Sequence, residues 1–241
     1  MSDEDALINR RKLGELVEKQ LLAELQTGAL KPGDTLPSER ELMERYKVGR
    51  PSIREAMQSL HRKGLIRIRH GERPRVAEPS FDRTLSELAE TMRHVLLFSG
   101  GSLGHLKEAR ILFETQMARR AAEDHAQDNL EHIEATLDQQ AMSTVGSPEF
   151  MRLDGEFHAA IAKVSANPIL ESLSRALFSW LSEFHIDQVR KPGLESLTIS
   201  EHRAIFDAIK AGDAAGAEQQ MKNHLTRAND SYKASHLSQS G

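Results

Sequence analysis

The 241-residue sequence contains no cysteine, which excludes disulfides, thiolate nucleophiles and cysteine-ligated zinc, and suits a reducing compartment. No apolar run approaches the ~20 residues that a membrane-spanning helix needs. The N-terminus MSDEDALINRRK is charged from its start, so no signal peptide and no membrane partner are expected, and a cytoplasmic protein is. Glycine-rich phosphate loops, GxSxG and HExxH are all missing, which leaves little support for catalysis. Aromatic residues make up only 5 % of the chain, with Trp180 the single tryptophan, and both it and the methionines fall at helical core spacing.

What is present is a helix-rich composition, 39 % hydrophobic and 28 % charged, in a chain long enough for one large domain or two modest ones. The net charge of −4 is unevenly spread. Up to Glu78 there are 16 Lys and Arg against 13 Asp and Glu; from Pro79 onward there are 16 against 23. A basic front on an acidic body points the front at a polyanion.

The first helix, about Ile8 to Thr27, carries Leu13, Leu16, Val17, Leu21 and Leu25 on one predicted buried face, and Gly28 fits the position after its end. Ser38 with Glu41 three residues on makes a capping box for a short second helix. Lys47-Val48-Gly49 is the turn, with Gly49 expected to take a positive φ, and Pro51 sits in the first turn of the third helix. There Ile53, Ala56, Met57 and Leu60 form the apolar stripe, while Arg50, Ser52, Arg54 and Gln58 are expected to point away from it. After Gly64 the period changes to two, with Ile66 and Ile68 between Arg67 and Arg69 and a tip at His70-Gly71-Glu72. That order reads as a helix-turn-helix followed by a basic wing. The alternative is a small amphipathic helical hairpin beside an ordinary solvated hairpin.

Beyond the Glu78-Pro79-Ser80 linker only helix patterns occur. Leu85, Leu88, Met92, Val95 and Leu96 mark one helix; Leu106, Ala109, Phe113 and Met117 the next; Leu130, Ile133 and Leu137 a third. Further helices are predicted at about Pro148 to Val164, Ile169 to Val189, Leu197 to Ala211 and Ala214 to Ser235, with Lys191-Pro192-Gly193 as a break and the tail HLSQSG unstructured. The expected fold class is therefore mainly α: a winged helix-turn-helix over residues 8–78, then an all-α antiparallel bundle of six to seven helices over residues 82–235.

Asp154 and His158 lie i, i+4 on one helix, His202 near the start of another and His224 in the middle of a third. One carboxylate and three imidazoles in a small bundle are a donor set for a divalent metal, Zn²⁺ best, with Ni²⁺, Mn²⁺ or Fe²⁺ as alternatives. The plainer reading is scattered helical histidines, of which the chain has 11; His185 is near enough to a buried face to line a pocket. Arg110 and Glu114 form another i, i+4 pair, either a surface ion pair or an arginine held inward for an anionic ligand. An open metal also leaves a metal-dependent hydrolase as a remote enzyme reading, and an interaction module as a third class.

Taken together, LPSERELMERYKVGRPSIREAMQSLHRKGLIRIRHGERPRV resembles the winged helix of the GntR family of bacterial transcription regulators. RILFE, DGEFH, SEHRAIFDAI and MKNHL are similar to the ligand-binding (FCD) domain of its FadR-type branch, and KGLIRIRHGERPRV and ALFSWL to the sialic-acid-responsive, NanR-like group within it. The resemblance implies a non-enzymatic, homodimeric repressor on a pseudo-palindromic double-stranded DNA operator. It implies DNA contacts from Arg40, Arg50, Ser52, Arg54, His70 and Gly71, with Pro51 standing where many relatives carry a small polar residue, Arg or Thr. It implies a metal held by Asp154, His158, His202 and His224, and Arg110 facing an effector: sialic acid, a hexuronate, or another sugar acid or small hydroxy-carboxylate.

Overall fold

A computed structural model of the chain describes residues 3–144, 146–185 and 194–237. The predicted helix end at Val189, the Lys191-Pro192-Gly193 break, the side chain of His185 and the last residues of the tail lie outside this set. The chain divides between Ser80 and Phe81 into two units.

In the first unit, α1 (Asp3–Gln26) packs against α3 (Arg50–Arg62) and buries Val17 and Leu21, whereas Leu16 is 58 % exposed and is not part of the buried face. Leu22 and Leu25 supply the remaining contacts with the core. α2 (Glu39–Tyr46) starts with the capping box: Ser38 N–H donates to Glu41 Oε2 (2.6 Å) and Glu41 N–H to Ser38 Oγ (3.2 Å). The turn into α3 differs from expectation. The left-handed residue is Lys47 (φ 56), which ends α2, while Gly49 caps α3 at φ −75 in extended backbone. Pro51 occupies the first turn of α3, where no N–H is required.

The wing pairs β1 (Ile66–Arg67) with β2 (Arg75–Val76) antiparallel, Ile66 opposite Val76 and Arg67 opposite Arg75. Ile66 and Val76 turn into the core with Leu36, Leu42, Ile53 and Leu60, and the arginines turn out. Arg73 ties the hairpin to α2 through the capping-box carboxylate of Glu41 (2.9 Å).

The second unit contains only helices among the described residues. The single helix expected before Ser99 is two, α4 (Phe81–Glu87) and α5 (Ala89–Phe98), divided at Leu88. α6 (Ser102–Glu123), α7 (Gln127–Met142), α8 (Pro148–Lys163), α9 (Pro168–His185), α10 (Glu195–Lys210) and α11 (Ala214–Leu237) complete it. α6 packs on α11, α11 on α10, α7 on α8 and α8 on α9. The main core gathers Ile133, Leu137, Phe157, Ile161, Ile205, Phe206 and Met221; a smaller cluster of Leu96, Leu106, Leu177 and Leu181 lies against Trp180.

The buried face of α6 runs through Leu106, Arg110, Glu114, Ala118 and Ala121, with Ala109 exposed and Phe113 and Met117 only partly buried. The buried stripe is turned by about one residue from the Leu106, Ala109, Phe113, Met117 spacing, and it carries the charged pair Arg110–Glu114.

Candidate metal centre and DNA-reading face

α8, α10 and α11 bring His158, His202 and His224 together so that one ring nitrogen of each lies within 4.8 Å of the others. All three residues are at most 4 % exposed. Asp154, one turn before His158, reaches the group through Oδ1, 3.4 Å from His202 Nε2.

Each imidazole is held from outside by a different acceptor. His202 Nδ1 donates to Gln140 Oε1 on α7 (2.9 Å), and Gln140 uses its amide nitrogen to donate to Asp154 Oδ1 (3.1 Å). His224 Nδ1 donates to Glu201 Oε2 (2.8 Å), and the Arg227 guanidinium grips that carboxylate through Nε (2.7 Å) and a terminal nitrogen (2.5 Å). His158 Nδ1 lies against Glu114 Oε2, whose other oxygen accepts from Arg110 Nε (2.5 Å).

Because carboxylates and the Gln140 carbonyl only accept, they assign the ring proton to Nδ1 in each histidine. The Nε2 atoms then carry lone pairs. Those of His202 and His224 stand 3.3 Å apart, and His158 Nε2 is buried without a hydrogen-bond partner. Convergent lone pairs of this kind fit a cation, and outer acceptors on metal-bound histidines are the usual means of orienting them. The donor set of imidazoles and one nearby carboxylate therefore suits a divalent transition metal.

The electrostatics agree. Burial, reinforced by the neighbouring histidines, lowers the His202 pKa well below 6.5. Burial also lowers that of His224 from 6.5, against the opposing pull of Glu201. Neutral, metal-competent imidazole is thus favoured at His202 and His224. Burial would raise the Glu114 carboxyl, but the Arg110 charge and His158 outweigh it and hold it at about 2.

Arg110 is in the wall of this centre, buried, with its guanidinium 5.1 Å from the Phe178 ring centroid and its Nε on Glu114. It is not a surface ion pair. No sequence pattern singles out Gln140, Glu201 or Arg227. Gln140 carries no periodic signal, and Glu201 stands beside His202 in sequence yet backs His224.

On the winged helix, the side chains of Arg40, Arg50 and Arg54 are 83 %, 60 % and 63 % exposed. Glu39 collects the latter two, 3.5 Å from Arg50 Nε and 2.9 Å from Arg54 Nε. His70 and Gly71 (φ 77) are exposed at the wing tip. Ser52 departs from the expected pattern: at 3 % exposure it faces the core side of α3 with Ile53 and Ala56, away from the two arginines.

Two family models match the chain: bacterial regulatory proteins of the gntR family over residues 13–76, and the FCD domain over residues 105–227. The chain is 37 % identical to the HTH-type transcriptional repressor NanR of Cronobacter sakazakii, over 90 % of this chain and 84 % of that one. It is 35 % identical to the NanR of Klebsiella aerogenes, over 93 % and 87 %. Among solved structures, a GntR protein of Streptococcus agalactiae superposes with a TM-score of 0.61 at 26 % identity, covering 89 % of this chain and 98 % of that one.

Proposed function

The chain belongs to the GntR family, a DNA-binding transcription regulator of the FadR-type branch and not an enzyme, and from that premise we propose that it is a repressor released by a small organic acid captured at the histidine centre. The observation that carries the effector half is the convergence of one ring nitrogen from each of His158, His202 and His224, within 4.8 Å of one another and beside Asp154.

His158, His202, His224 and Asp154 are the residues that would hold the metal. A divalent cation there supplies a Lewis-acidic point for a carboxylate and an adjacent hydroxyl. Counting formal charges, Asp154, Glu114 and Glu201 against Arg110 and Arg227 leave −1, and a divalent ion turns this to +1. One effector carboxylate closes the sum to zero. Arg110, in the same wall, is the side chain suited to receive the second oxygen of that carboxylate. Sialic acid fits this chemistry, as do a hexuronate or a small hydroxy-carboxylate.

On the DNA side, a homodimer presents two α3 helices to major-groove half-sites about 34 Å apart on a pseudo-palindromic operator. Arg50 and Arg54 meet guanine edges and neighbouring phosphates, Arg40 the backbone, and His70-Gly71 the minor groove. The effector shifts the equilibrium only by its differential affinity for the two states of the repressor, ~1–3 kcal/mol in typical couplings.

The test is a thermal-shift panel of N-acetylneuraminate, hexuronates and hydroxy-carboxylates, each with and without EDTA. An effector raises the melting temperature only with metal present, and it weakens operator binding in a gel shift. A ligand effect indifferent to EDTA would remove the metal from this scheme.

A further inference from the structure

The three histidines of the centre are buried, and one aromatic side chain reaches from beside them to the surface. The Phe178 ring on α9 lies 6.1 Å from the His158 ring and 5.1 Å from the Arg110 guanidinium carbon, centroid distances that place it in the inner wall. The same side chain, only partly buried, lines a surface cleft of about 310 Å³ between α8 and α9, together with Met151, Gly155, Glu156 and Arg175.

We propose that Phe178 is the gate of the centre and that the α8–α9 cleft is the path by which metal and effector enter and leave. The proposal rests on the metal reading given above. Two features argue that the side chain moves, rather than the helices. Arg175 straps them together, joining Glu156 on α8 (2.6 Å) and Glu171 on α9 (3.2 Å), so separating α8 from α9 breaks a partly buried ion-pair bridge. The ring itself is seated by an absence. A Cβ at Gly155 would stand 2.7 Å from Phe178 Cδ1, closer than packing allows. Glycine is a poor mid-helix residue, and here it lets the ring lie against the α8 backbone. Rotation of Phe178 into the cleft uncovers the faces of His158 and Arg110 together, the two groups an effector carboxylate needs. Closure restores a dry wall in which the charged interactions are strong.

The experiment uses the full-length zinc-loaded protein and follows transfer of Zn²⁺ to a chromogenic chelator by stopped flow. Phe178→Ala should release zinc at least tenfold faster than wild type, with the bound metal per chain unchanged. Gly155→Ala, which adds helix propensity rather than removing packing, should accelerate release in the same direction by displacing the ring. Wild-type rates in both variants would overturn the gate. So would lost equilibrium occupancy in place of faster exchange, because Phe178 would then be holding the site together. A wild-type protein that binds no zinc overturns the underlying metal reading and the gate with it, an outcome distinct from unchanged rates in a loaded protein.

Discussion

His202 and His224 face each other through their Nε2 atoms at 3.3 Å while both Nδ1 positions are committed outward, one to Gln140 and the other to Glu201. Two neutral imidazoles so arranged repel unless something positive lies between them. The buried amide that enforces this on His202 is therefore as consequential as the ligand.

Replacing Gln140 with Leu should leave the fold intact and weaken metal affinity roughly 10- to 100-fold, the usual cost of losing an outer partner. Competition against a chelator of known affinity measures it. Unchanged affinity would mean that Gln140 only fills space.

Arg110→Ala strands the buried Glu114 carboxylate. Breaking a buried pair from one side costs about 3–5 kcal/mol, and urea unfolding should register a loss of that order. Adding Glu114→Gln should recover much of it, which a purely effector-binding Arg110 would not explain.

Acid should act on the metal-free protein in two windows. His202 and His224 have folded pKa values below 6.5, so the unfolded chain takes up protons first. Their contribution is fully present above pH 6.5 and is lost as pH falls below it. Glu114, at about 2 in the fold against 4.5 unfolded, contributes above pH 4.5 and loses that contribution on the way to pH 2. A urea midpoint that rose between pH 7 and 5 would contradict the first window. Metal should suppress it, since bound imidazole cannot take up a proton.

On the winged helix, Arg54→Ala should cost ~1–3 kcal/mol of operator affinity and relax base preference at one position, whereas Arg40→Ala should weaken all sequences alike and lower the salt slope by about one. Fluorescence anisotropy over a salt series separates the two. Ser52→Ala, at a buried position, is expected to change stability more than base preference.

Lys47 holds a left-handed conformation without being glycine. Lys47→Gly should be neutral or stabilising by up to about 1 kcal/mol, and Lys47→Val should be destabilising, because a β-branched side chain resists that region. Thermal melts of the two variants should bracket the wild type.

These contrasts mark where local pattern carries information. The capping box, Pro51 and the change of period after Gly64 are short-range signals, and they located the winged helix without tertiary knowledge. Gly49 misled because glycine permits a positive φ without requiring one, and here the reversal fell two residues earlier. Spacing alone places Leu16 on the core face, but a helix face wider than its contact leaves edge residues in solvent. The Asp154/His158 pair was visible because both lie on one helix. The Arg110–Glu114 pair was visible but not its burial, since only the bundle supplies His158 to share the carboxylate. Gln140, Glu201 and Arg227 are defined by neighbours on other helices, 62 residues apart for Gln140 and His202, and no local pattern announces them.

The dispersal of the centre over the chain has a consequence for how the protein is made. Arg110 and Glu114 emerge from the ribosome early on α6; His224 and Arg227 arrive only with α11. A nascent chain lacking α11 has neither the third imidazole nor the clamp on Glu201. On the metal reading proposed above, capture becomes available only to a chain synthesised through α11 and folded, and a bound ion would stabilise such chains over shorter ones.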